Sequence, residues 1–201
     1  AIAGLWPSFQ AAANLGLTMA NYIGFSNGVQ FEVVFADSGC NGYETTSTGT
    51  SAAEALRDAG VWGVVGAACS GASMAANAVL APAGIPMISY ASTSPALSDA
   101  STYTDFFRVV PSDVGQSQAI ADLMAVNGEV NTSAGGVAVI AATDDYTAGL
   151  GNLFAGTESG EGTWGFDNIC TRTDYTRPTT DYATVIQSTI DNGCSAVALF
   201  A

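Results

Sequence analysis

Lysine and histidine are missing from the 201 residues, and four arginines, Arg57, Arg108, Arg172 and Arg177, stand against 18 acids. Without histidine there is no Ser-His-Asp or Cys-His pair, and without lysine no Schiff base, Walker lysine or Ser-Lys dyad. Paired-carboxylate hydrolysis survives this pruning, but spacing alone locates no such pair. The net charge of −14 repels phosphate backbones and argues against nucleic acid as a partner. It suits solubility in a salty extracellular medium. No run of 18 apolar residues occurs, and residues 1–4 lack a charged region, so neither a membrane span nor a signal peptide is expected. Cysteine is sparse: Cys40, Cys69, Cys170 and Cys194 show no C-x-x-C spacing and have no histidine to help hold zinc. No metal and no cofactor is expected. An even number of cysteines suits two disulfides in an oxidising compartment, with free buried thiols as the alternative the spacing leaves open.

What is present is a core-forming composition, 48% hydrophobic, in a chain long enough for one large domain or two small ones. Apolar spacing predicts a helix over residues 8–22, with Pro7 suiting its start. A strand is predicted over 29–36 (VQFEVVFA), followed by a turn cluster at 37–42. A Thr/Ser-rich loop leads to a helix over 52–59 closed by Gly60. Then come a strand over 61–68, a helix over 70–83, strands over 86–90 and 106–110, and a helix over 114–127. Residues 127–136 are polar and glycine-rich and read as a crossover between two lobes. The same unit recurs as a strand over 137–142, a helix over 148–155, a strand over 165–171, a helix over 182–191 and a strand over 196–201. Such alternation implies α/β architecture with parallel sheets flanked by helices. The expected organisation is a first lobe at 1–128, a crossover at 129–136 and the first part of a second lobe at 137–201. Asn131 heads an Asn-Thr-Ser sequon, a glycosylation candidate in a eukaryotic host.

Two polar turns, Cys69-Ser70-Gly71 and Ala91-Ser92-Thr93-Ser94, sit where apolar strands stop. In open α/β sheets the ligand crevice lies outside the carboxyl ends of the strands, so both turns can line one pocket. A helix beginning at Ser70 offers unpaired N–H groups to an anion such as a carboxylate.

The stretch VVGAACSGASMAANAVLAPAGIPMISYASTSPALSD with FFRVVPSD resembles the ligand-binding domain shared by bacterial leucine/isoleucine/valine-type binding proteins and metabotropic glutamate receptors. The resemblance implies a two-lobed clamshell, or Venus flytrap, that closes on an amino acid without catalysis, with the second lobe incomplete here. Carried over by position, Ser70 corresponds to the serine holding the α-carboxylate. Thr93 corresponds to the threonine touching carboxylate and ammonium, and Ala91 to the residue whose carbonyl accepts from the ammonium. Asp113 falls at the aspartate near the ammonium, Tyr146 at the second-lobe tyrosine covering the ligand, and Trp6 where relatives touch the ligand side chain. Plainer roles compete: Ser70 and Asp113 as helix caps, Ser92 and Thr93 as turn residues, Tyr146 and Trp6 as packing.

The resemblance also implies a Cys40–Cys69 bridge, matching one in the bacterial relatives and joining the turns after two neighbouring parallel strands. Cys170–Cys194 would then join the next strand pair. The implied partners are an amino acid or similar zwitterion, the remainder of the same protein completing the second lobe, a second copy through first-lobe helices, and a membrane permease or receptor transmembrane region. The implied location is extracellular, cell-surface or periplasmic, in signalling or uptake, with hinge motion near 127–136. A secreted assembly protein that reuses the clamshell without binding ligand is the alternative.

Overall fold

Two three-stranded, wholly parallel sheets organise the computed structural model, which describes residues 2–25, 28–40, 46–126, 135–156 and 169–201. The first sheet has the order β1 (Val64–Val65), β2 (Met87–Ser89), β3 (Phe106–Arg108). The second has β5 (Ile169–Tyr175), β4 (Val137–Ala142), β6 (Ala196–Phe200), with β4 central. Helices α1 (Trp6–Phe25), α2 (Thr46–Asp58) and α3 (Ser70–Leu80) accompany the first sheet, and α4 (Asp113–Val126), α5 (Thr147–Ala155) and α6 (Tyr182–Asp191) follow. Among the described residues no helix is long and apolar enough to cross a membrane.

Each sheet buries an apolar face because neighbouring side chains along a strand point to opposite sides. In β2, Met87 and Ser89 are buried while Ile88 between them is exposed. Met87 joins Ala53, Ala76, Leu80 and Ile85 in the core beneath α2 and α3. Helix α2 begins six residues before the expected 52 and draws the Thr/Ser-rich run into its first turns. It approaches α3 so closely that a Cβ on Gly49 would lie 2.8 Å from the Ala72 carbonyl oxygen. The second core is built on β4, all six of whose residues are buried, as suits a central parallel strand. Val137, Val139 and Ala141 there meet Leu150 and Phe154 of α5 and Ala198 and Phe200 of β6.

Two expectations are corrected. Residues 29–36 form no strand and pair with no sheet among the described residues. Strand composition supplies a side-chain pattern, whereas a strand needs a neighbour for its backbone groups. Here the Asn21 side chain takes the place of a partner, accepting from the Phe31 N–H at 2.6 Å and donating to its carbonyl at 3.0 Å. The second correction concerns α4. Its Ala121 is buried in the second core, with Ile120 and Met124 packed against it, so this helix belongs with the second sheet. The chain therefore changes sheets at residues 109–112, ahead of α4, and not at 129–136. A polar, glycine-rich loop marks a break in regular structure but not which sheet the preceding helix covers. Residues 127–134, including Asn131, and 157–168 lie outside the described residues.

Both disulfides are formed: Cys40–Cys69 with a Cα separation of 5.5 Å and Cys170–Cys194 with 5.8 Å. The first fastens the segment that follows α1 to the start of α3. The second joins the beginnings of β5 and β6.

Candidate ligand-binding site

Strand β1 ends at Val65, and the backbone runs through Gly66, Ala67 and Ala68 to Cys69, whose extended conformation (φ −89°, ψ 139°) turns the chain into α3. Cys69 holds the cap position, so Ser70 is the first helical residue and its hydroxyl is free of capping. It accepts the Ser94 N–H at 3.2 Å instead and is buried, at 2% exposure. The turn after β2 is thereby tied to the start of α3. Arg108, at the end of β3, braces the same turn from the far side by donating to the Ser94 carbonyl at 2.8 Å and to the Ser98 hydroxyl at 2.6 Å.

Asp113 is the focus of the site. Its N–H donates to the Thr93 carbonyl at 2.9 Å, joining α4 to the β2 turn. Asp113 is 1% exposed, and among the described residues only the Thr93 hydroxyl and the Arg108 charge lie near enough to favour its carboxylate, neither in a well-formed hydrogen bond. A capping role is excluded by this geometry, since a capping carboxylate accepts from N–H groups of the first turn. Ser112 does that instead, through a long contact from the Val114 N–H at 3.5 Å. Burial pushes the Asp113 carboxyl above the ordinary carboxylate range, opposed only in part by the nearby Thr93 hydroxyl and the Arg108 charge. A buried carboxylate with so little donor support is costly unless something supplies more.

The second unit closes on this region. Gly149 of α5 faces the β2 turn so nearly that a Cβ there would sit 3.5 Å from Pro95 Cδ. Asp144 accepts from the Thr147 hydroxyl at 2.6 Å and from Arg177. Burial opposes its ionisation, but the hydrogen bonds from Thr147 and Arg177 outweigh that and hold its carboxyl below the usual range. Asp145 goes the other way: burial, reinforced by repulsion from Asp144, raises it. Tyr146 lies at the start of α5, half-exposed, its N–H donating to Asp144 at 3.2 Å. Trp6 packs edge-on against Phe35 with ring centres 5.5 Å apart and is 44% exposed. Hydrogen bonds thus link Ser70 with the Ala91–Ser94 turn and that turn with Asp113, whereas Tyr146 and Trp6 are held by other neighbours.

Residues 9–187 match the family described as the receptor family ligand binding region. The chain belongs to this family. Among members of the wider group, metabotropic glutamate receptor 4 of Rattus norvegicus is 52% identical over 64 residues, 32% of this chain and 7% of the receptor. Metabotropic glutamate receptor 8 of Homo sapiens is 48% identical over 66 residues, again 7% of its length. An ABC transporter substrate-binding protein from Desulfitobacterium hafniense, solved in complex with Leu, superposes with a TM-score of 0.62 at 28% identity, covering 92% of this chain and 52% of that one. The chain thus spans about half of the solved binding protein and a small part of each receptor. Its family is one of ligand-binding regions, and its two disulfides accord with an extracellular, cell-surface or periplasmic location.

Sequence reading assigns no role to two buried serines, Ser73 and Ser89, or to the brace formed by Arg108, and Ser92, expected as a plain turn residue, is buried as well. A signal for one was present: Ser89 shares strand parity with Met87, so a polar side chain in an apolar strand had to face the core and find partners there.

Proposed function

We propose that this cleft binds an amino acid as a zwitterion, without catalysis, by closure of the two units. The observation that carries the reading is the buried Asp113 carboxylate beside the Thr93 turn, which has fewer donors around it than a buried charge needs. A ligand ammonium would supply the donors that this carboxylate lacks, in a charge-assisted contact. At the other end, Ser70 and the first N–H groups of α3, which have no acceptor within the helix, suit the α-carboxylate. The Ala91 carbonyl completes the ammonium side, and Tyr146 closes from the second unit, with Trp6 toward the ligand side chain. The Leu complex of the solved relative supports the ligand class. Asp113 follows directly on the change of sheets at 109–112. Ligand contact there favours the closed arrangement over the open one.

The same binding serves a receptor, which reports closure, or an uptake system, which hands ligand to a permease. A lipoprotein signal or a downstream membrane span in the full-length sequence separates the two. An exposed apolar stripe on α1, formed by Leu15, Met19, Tyr22 and Ile23, supports pairing of two copies through first-lobe helices. A thermal-shift screen of the twenty standard amino acids tests the binding reading. A true ligand at about 100 times its Kd adds ~2.7 kcal/mol to the folded state, or roughly 5–10 °C in a chain of this size. Twenty flat curves would favour the assembly-protein alternative.

A further inference from the structure

We propose that Ser73, Ser89 and Ser92 form a buried hydroxyl network that positions both ligand-binding turns and sets affinity without touching the ligand. The inference rests on the amino-acid reading above. All three side chains are fully buried. Ser89 donates to the Ala67 carbonyl at 2.5 Å and accepts the N–H groups of Ser92 at 2.9 Å and Ala91 at 3.2 Å. Ser73 accepts the Ala67 N–H at 3.1 Å and lies 2.8 Å from the Ser92 hydroxyl. Ser92 in turn reaches the carbonyls of Ala67 at 3.2 Å and Ala68 at 3.3 Å.

These contacts admit a complete assignment of protons. Ser73 donates to Ser92, Ser92 shares its single proton between the Ala67 and Ala68 carbonyls, and Ser89 donates to Ala67. Each hydroxyl then donates once and accepts at least once, as a buried network requires. Its members lie on three elements: Ser89 on β2, Ser92 on the following turn, and Ser73 one helical turn after Ser70 on α3. The backbone they grip leads into the Cys69-Ser70 turn on one side and carries Ala91 and Thr93 on the other. Removing one hydroxyl leaves a neighbouring carbonyl or hydroxyl unsatisfied in the interior and frees the two turns to shift relative to each other. A displacement of an ångström is costly where several polar contacts must meet one ligand at once. Ser92 would therefore matter to binding although its side chain points away from the cleft.

The test uses Ser92→Ala, with Ser117→Ala as control, because Ser117 is equally buried but its hydroxyl has no hydrogen-bond partner among the described residues. The probes are the standard amino acid giving the largest thermal shift in the parent, and its α-amide, titrated well below the melting temperature of each variant. Ser92→Ala is expected to weaken amino-acid binding on the order of tenfold and to narrow the preference for the acid over the amide, while Ser117→Ala changes neither. A Ser92→Ala protein that melts earlier but keeps both affinities would reduce the network to a stability element and overturn the inference, leaving the amino-acid reading intact. A parent that responds to no amino acid removes the reading first, and the inference with it. Should Ser92→Ala fail to fold, Ser89→Ala carries the same expectations, with faster hydrogen exchange at the Ala91 and Ser92 amides as an added readout. Unchanged exchange there would contradict the network directly.

Discussion

Replacing Asp113 by asparagine should make the ligand-free protein more stable at neutral pH while weakening amino-acid binding by roughly 10- to 150-fold, the loss of a charge-assisted partner worth about 1.5–3 kcal/mol. The stability side follows from the raised carboxyl pKa. Between the ordinary carboxylate value, about 3.9, and the raised one, the folded chain binds more protons than the unfolded chain. Stability therefore falls as pH rises through that window, and the penalty stands in full above it. Asparagine is neutral throughout, so its advantage, on the order of 1 kcal/mol, should appear above the window and vanish below about pH 4. Thermal melts of both proteins from pH 3 to 8, with titrations at neutral pH, check both halves. If the variant were less stable at every pH and bound like the parent, Asp113 would be a structural residue.

The second large effect concerns the Cys40–Cys69 bridge. Its partners are 29 positions apart, and on the chain-entropy model closing such a loop stabilises by about 3.5 kcal/mol. Changing both cysteines to serine should then lower the melting temperature by roughly 7–14 °C. Cys170–Cys194 closes a loop of similar size, with a separation of 24, and its removal should cost about as much. The two differ in what they hold. Cys69 caps α3 and adjoins Ser70, and the segment it anchors has no sheet partner among the described residues, so losing the first bridge should also weaken ligand binding. The second lies at the amino-terminal ends of β5 and β6, away from the cleft, and its loss should leave affinity alone. Melting curves and titrations of the two double variants decide this. A first-bridge variant that melts within about 2 °C of the parent would show that the bridge adds little.

Much of this architecture was legible in the sequence because apolar runs and helical spacing alternate along it. Strands β2, β3, β4 and β6 and helices α1, α3, α5 and α6 arise within a few residues of where those patterns place them. What failed is what pattern alone does not encode. Residues 29–36 look like a strand, yet pairing depends on a neighbour that local sequence cannot reveal. The sheet against which α4 packs depends on tertiary contacts of Ile120, Ala121 and Met124. In the site, the two turns were visible as polar breaks after apolar strands, and the resemblance singled out Ser70, Thr93 and Asp113. That Asp113 is buried with few donors around it, and that Ser92 faces inward to a serine network, are facts of burial. A turn rich in serine looks the same from the sequence whether its hydroxyls meet water or one another.

In the proposed site, Ser70, Thr93 and Asp113 together recognise the two charged ends of one amino acid. Calorimetric titration of the parent with the best amino acid from the screen, and with its N-acetyl derivative, tests this most directly. Acetylation removes the ammonium and leaves the carboxylate and side chain in place. The account predicts saturable one-to-one binding of the free amino acid and a loss of at least tenfold on acetylation, with that loss sharply reduced in Asp113→Asn. Equal affinity for the two compounds, or the same acetylation penalty in Asp113→Asn as in the parent, would contradict it.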